Sequence, residues 1–152
     1  MTQTIAFLFV KANKVLLEYV KNDNAKIDSP RIPRGQILDS DKGNPHGNKM
    51  EHALHRLIYK MSSGTLIPLQ YEFVTMIDDK MHGEVVSVYF VYSWDGGEPQ
   101  SETLGRQPIA RFRFLTIDDA LDSVAGEIDH KILRTAKETI RIRSVLHSPR
   151  YQ

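Results

Sequence analysis

The segment from Glu84 to Trp94 limits the fold more than any other part of this sequence. Val86, Val88, Phe90, Tyr92 and Trp94 alternate there with Val85, Ser87, Tyr89 and Val91. Successive side chains of a strand point to opposite faces. A strand that is apolar on both faces belongs in the middle of a sheet covered above and below. The chain therefore needs helices, or a second sheet, on each side of that strand. With 152 residues it has the length for one such domain, spanning 1–152. Its 41% hydrophobic and 26% charged residues are ordinary for a globular core and surface. No cysteine is present, which excludes a disulfide scaffold and any thiolate zinc or iron–sulfur site. The early apolar run Ile5 to Val10 is too short to cross a membrane and lacks the basic lead-in of a signal peptide. A soluble cytoplasmic protein is the expectation.

The other elements follow from local pattern. Thr4 to Val10 predicts a buried strand, Lys11 to Lys14 a polar turn, and Val15 to Val20 its hairpin partner, with Glu18 the polar interruption. Asn22 to Pro33 is rich in Asn, Asp and Pro and predicts a loop, which continues through Arg34 and Gly35 and again from Asp39 to Gly47. Asn48 with Glu51 three residues on opens a helix whose apolar stripe is Met50, Ala53, Leu54, Leu57, Ile58 and Met61. Ser62-Ser63-Gly64 ends it. Leu69 to Ile77 pairs with Glu84 to Trp94 as a hairpin. Arg111 to Thr116 forms a further strand, Ile117 to Ser123 a short helix, and Glu127 to Val145 a longer one. The order predicts an α/β (α+β) sandwich with a mixed sheet between helices.

Ile32-Pro33-Arg34-Gly35-Gln36-Ile37, Asp41, and the run Glu51 to Ile58 with Arg56 resemble parts of the Nudix hydrolase (MutT-like) box, G-x5-E-x7-R-E-U-x-E-E-x-G-U, where U is aliphatic. The long hairpin, Gly97-Glu98-Pro99 and the strand running into a short acidic helix also have counterparts in that family. The resemblance implies an α/β/α sandwich around a mixed central sheet. It also implies a site where box glutamates hold Mg2+ or Mn2+ against a diphosphate. Counted from Arg56, however, those glutamate positions are Leu57, Lys60 and Met61, and no Asp or Glu occurs between Glu51 and Glu72. The box is degenerate in its metal-carrying half.

Three functional expectations result. The first is a domain that binds a nucleoside diphosphate derivative or similar phosphorylated ligand with weak or no hydrolysis. Arg34, Gly35, Arg56 and Lys60 are its ligand-binding candidates, with Lys49 as a further cation. A fixed ammonium at Lys60 could there replace the divalent cation as counter-charge. The second is an active diphosphohydrolase whose Mg2+ or Mn2+ is held outside the box, with Glu51 and Glu98 as catalytic candidates and Asp41 as a further metal ligand. The third is a non-enzymatic RNA- or protein-interaction module. For it the basic C-terminal stretch offers Lys131, Arg134, Lys137, Arg141, Arg143 and Arg150 against Glu138 alone. Nucleic acid is the weaker candidate partner, because an exposed helix face accounts for the same spacing. No membrane partner is expected, and the resemblance allows a homodimer. His52 and His55 are weak candidates for a transition metal. Arg111 and Arg113 could extend a basic face, while Tyr89, Tyr92 and Trp94 read as core residues first.

Overall fold

The structure, a computed structural model, describes residues 2–19, 29–41, 48–97 and 111–146. Among the described residues, six strands and three helices occur in the order β1 (Thr2–Lys11), β2 (Lys14–Glu18), β3 (Arg34–Gln36), α1 (Lys49–Met61), β4 (Ile67–Asp79), β5 (Glu84–Asp95), β6 (Phe112–Thr116), α2 (Ile117–Ser123) and α3 (Glu127–Leu146). The strands make one sheet in the order β4-β5-β1-β2-β6, with β3 added against β1. Only β1 and β5 run parallel, so the sheet is mixed. As its two-sided apolar pattern requires, β5 lies inside the sheet, between β4 and β1.

Alternation along the central strands divides the interior into two cores. Ala6, Leu8, Val86, Val88 and Phe90 face α2 and α3 and pack with Ile117, Ala120, Ile132, Leu133 and Ala136. Ile5, Phe7, Phe9, Tyr89 and Val91 face α1 and pack with Ala53, Leu54 and Ile58. The architecture is the expected α/β/α sandwich. Each fully buried Phe, Leu or Ile among these contributes about 1.5–3 kcal/mol, so both layers hold their helices firmly.

Helix α1 begins as its sequence indicates. The Asn48 side chain accepts a hydrogen bond from Glu51 N–H at 2.8 Å, satisfying one of the donors that a helix start leaves unpaired. It ends at Ser62, where Ser63 (φ 53°) and Gly64 (φ 82°) both turn left-handed and Gly64 N–H reaches Tyr59 C=O at 2.8 Å. One element departs from the expectation. Residues 34–36, read as loop, form the short strand β3, paired with Thr4 to Ala6. Three residues carry no periodicity to read. What recruits them is the free edge of β1, whose N–H and C=O groups need partners.

Candidate functional site

The cleft arises from how β1 uses one of its edges. One edge pairs with β5 from Thr2 to Phe9. The opposite edge is shared: β3 takes Thr4 to Ala6, while β2 pairs at Val10 and Lys11. Between these partners the sheet splits, and a cleft of roughly 540 Å³ opens between the β3 segment, the end of β2 and the C-terminal half of α1. Phe7 N–H donates to Pro33 C=O at 3.0 Å in the crotch of the split. Backbone hydrogen bonds between Glu18 and Arg31, 2.8 and 2.9 Å, tie the far wall. Gly35 lets β3 lie directly on α1. A Cβ there would stand 2.3 Å from Leu57 Cδ2.

The charges around this cleft are mostly positive. Arg31, Arg34, Arg56, Lys60 and Arg111 line it, and Glu18 is the only acid in its described wall. Four of the five cations are anchored. Arg56 holds Asp41 through two bonds, Nε to Oδ1 at 2.8 Å and Nη2 to Oδ2 at 2.9 Å, and also donates to Gln36 C=O at 2.7 Å. Asp41 is buried, accepts from Leu38 N–H at 2.8 Å, and lies 3.2 Å from His52 Nδ1. The Arg56 guanidinium, ahead of its other neighbours, holds the Asp41 carboxyl down at about 2, against an ordinary 3.8. Arg34 bonds Asp129 of α3, whose Oδ1 also accepts from Ile32 N–H at 3.2 Å. Burial outweighs that attraction and pushes the Asp129 carboxyl up. Glu18, only 8% exposed, faces Arg31 at 3.5 Å and Arg111 at 3.4 Å. Lys60 is exposed and has no ion-pair partner among the described residues.

No family model and no curated protein matches this sequence. Solved structures do match. A MutT NUDIX hydrolase from Burkholderia pseudomallei is 14% identical, with a TM-score of 0.60 over 88% of this chain and 96% of that one. A chain from work on MutT of Aliivibrio salmonicida and Vibrio cholerae is 13% identical, with a TM-score of 0.66 over 91% and 98%. An ADP compounds hydrolase is 10% identical, with a TM-score of 0.65 over 93% and 74%. The fold is that of the MutT-like Nudix proteins. Identities this low establish the likeness as one of fold.

Within this Nudix fold, the sequence-selected residues fall into two groups. Arg34, Gly35, Arg56 and Lys60 come together in the cleft, joined by Leu57 and Met61, which pack on the α1-side core and line the cleft as well. Asp41 stands behind the wall as the partner of Arg56. Glu51 is elsewhere. It lines a shallow groove along β4 with Leu69, Tyr71, Glu72 and Tyr92. Lys49 is exposed at the start of α1 and does not line the cleft. Glu98 lies outside the described residues, as do the side chains of Arg143 and Arg150. His52 lies against Asp41, whereas His55 Nε2 is 3.2 Å from the Tyr71 hydroxyl, and burial lowers the His55 pKa. Among the described residues, no group of three His, Asp or Glu is placed to hold a metal ion.

Arg111 lines the cleft, whereas Arg113 lies over the Tyr19 ring at 5.8 Å. Tyr89 is buried and Trp94 is wedged between Phe9 and Phe114, so both are core residues. Tyr92 packs on the core facing α2 and α3 and bonds Glu72 through its hydroxyl. On α3, Lys131, Lys137 and Arg141 pair with Glu127, Asp118 and Glu138, as an exposed helix face does. No helix of the described residues is long and apolar enough to cross a membrane.

Sequence reading gave no site role to Glu18, Arg31 or Asp129. Glu18 carried a signal, being the one acid in an otherwise apolar strand. The Arg34–Asp129 pair joins residues 95 positions apart, and nothing local announces it.

Proposed function

We propose that the cleft binds a nucleoside diphosphate derivative or a similar phosphorylated small molecule, with weak or no hydrolysis. The observation that carries this reading is the convergence of Arg31, Arg34, Arg56, Lys60 and Arg111 on one cleft whose described lining includes a single acid, Glu18. Arginine offers paired, planar N–H donors that match phosphate oxygens, and lysine supplies a compact charge. Phe7, Pro33, Leu38, Leu57 and Met61 give the same cleft apolar surface, which suits the sugar or base of such a ligand. The solved neighbours include proteins named as a MutT NUDIX hydrolase and an ADP compounds hydrolase, consistent with this ligand class.

Metal-assisted hydrolysis requires a cation that lowers the pKa of water and bridges the leaving oxygens. Lys60 can neutralise charge on a phosphate, but it does neither of those. The degenerate box thus keeps the means to bind an anion and lacks the means to activate water. Glu51 sits on the β4 groove rather than in the cleft, which lends no support to a catalytic role beside a ligand held by Lys60.

Two assays test the reading together. Calorimetric titration with ADP, ADP-ribose and inorganic pyrophosphate should show binding that Arg34→Ala and Lys60→Ala each weaken at least tenfold. Turnover with Mg2+ or Mn2+ across nucleoside triphosphates, ADP-ribose, NADH and dinucleoside polyphosphates should stay near background. Robust turnover that disappears in Glu51→Gln yet survives Lys60→Ala would sink the reading.

A further inference from the structure

A magnesium or manganese ion needs hard oxygen ligands, usually one or two carboxylates beside the substrate phosphates. Among the described residues, the acid that lines this cleft and the two acids bonded to its lining arginines are already engaged. Both oxygens of Asp41 are bonded to Arg56, with Leu38 N–H and His52 also against them, and its side chain is fully buried. Asp129 Oδ1 carries Arg34 and Ile32 N–H. The two oxygens of Glu18 face different arginines. The residues that α1 turns to the cleft, Arg56, Leu57, Lys60 and Met61, offer no oxygen ligand. Among the described residues, counting the wall and the acids bonded behind it, five cations face three carboxylates, an excess of two positive charges. The negative end of the α1 dipole, about half a charge, does not reverse that excess. The described residues therefore do not fit the divalent cation that the fold implies.

We propose that this cleft takes its phosphorylated ligand free of metal, with Lys60 as the standing counter-charge, and that Mg2+ antagonises binding. The proposal rests on the anion-binding reading above. A Mg2+ ion on a diphosphate cancels two of its charges and occupies the oxygens that Arg34 and Lys60 would engage. It also brings a divalent charge to a wall that is already positive. If the metal complex is excluded, apparent affinity falls by a factor of one plus the ratio of free Mg2+ to the ligand's own Mg2+ dissociation constant, by simple linkage.

The probes are inorganic pyrophosphate and ADP, titrated calorimetrically into the full chain. One arm contains EDTA. The other contains free Mg2+ at ten times the probe's Mg2+ dissociation constant, with ionic strength matched by KCl. Affinity should fall about tenfold in the Mg2+ arm. Lys60→Glu removes the positive excess. In that variant metal-free binding should weaken at least tenfold, and the antagonism by Mg2+ should shrink or vanish. Lys60 is exposed, so the variant should fold, and circular dichroism verifies this. Affinity that is unchanged or tighter with Mg2+ in the wild type overturns the proposal while leaving anion binding intact. Antagonism of equal size in Lys60→Glu overturns the role given to that lysine. Absence of binding in both arms removes the anion-binding reading and this proposal with it.

Discussion

Replacing Asp41 with Asn should cost stability in a way that pH reveals. Asp41 joins the end of the β3 segment to α1 through Arg56, and its carboxyl is held at about 2 instead of 3.8. At 1.36 kcal/mol per pKa unit, that depression corresponds to about 2 kcal/mol. The figure is an upper one, because the Arg56 side chain is 28% exposed. Solvent screening brings the expected loss to about 1–2 kcal/mol, a fall in Tm of roughly 2–8 °C for a chain of this length. Because the folded pKa is depressed, the contribution is complete above about pH 4–5 and is lost as pH falls towards and below 2. Urea unfolding followed by Trp94 fluorescence, for wild type and Asp41→Asn, checks this between pH 7 and pH 2. The gap between the two proteins should be widest at neutral pH and close in acid. A gap absent at pH 7, or constant down to pH 2, would refute the role assigned to this ion pair.

Three further substitutions probe the same cleft. Gly35→Ala forces Leu57 aside and should cost about 1–3 kcal/mol in urea unfolding, with much of the loss recovered by adding Leu57→Ala. Arg34→Ala leaves the buried Asp129 carboxylate without its guanidinium, with Ile32 N–H still bonded to it, a loss of about 3 kcal/mol, which Asp129→Asn in the same chain should largely restore. Glu18→Gln frees Arg31 and Arg111 for an anion, so pyrophosphate affinity in EDTA should rise several-fold by calorimetry.

Much of the fold could be read from the sequence because its signals are local. Two-sided apolar alternation placed β5 inside the sheet, and the Asn48–Glu51 start with its stripe placed α1. The turn at Ser62 to Gly64 was legible as well, although Ser63 shares the left-handed geometry with Gly64. The site was only half legible. Its helix residues Arg56 and Lys60 lie one turn apart, so helical spacing alone puts them on one face. The partners of the cations come from other elements: Asp129 from α3, Glu18 from β2, and Asp41 from fifteen positions before Arg56. Pairings of that kind depend on how layers stack, which no short pattern encodes. The β3 segment was missed for the same reason, since the open edge of β1 and not its own residues recruits it.

The central claim, a cleft that binds phosphate through fixed side-chain cations, is tested most directly by calorimetric titration of ADP in EDTA at two salt concentrations. The account predicts measurable binding without metal, weakening as salt rises, and at least tenfold weaker in Lys60→Glu. Binding that appears only when Mg2+ or Mn2+ is supplied, with Lys60→Glu indistinguishable from wild type, would contradict it.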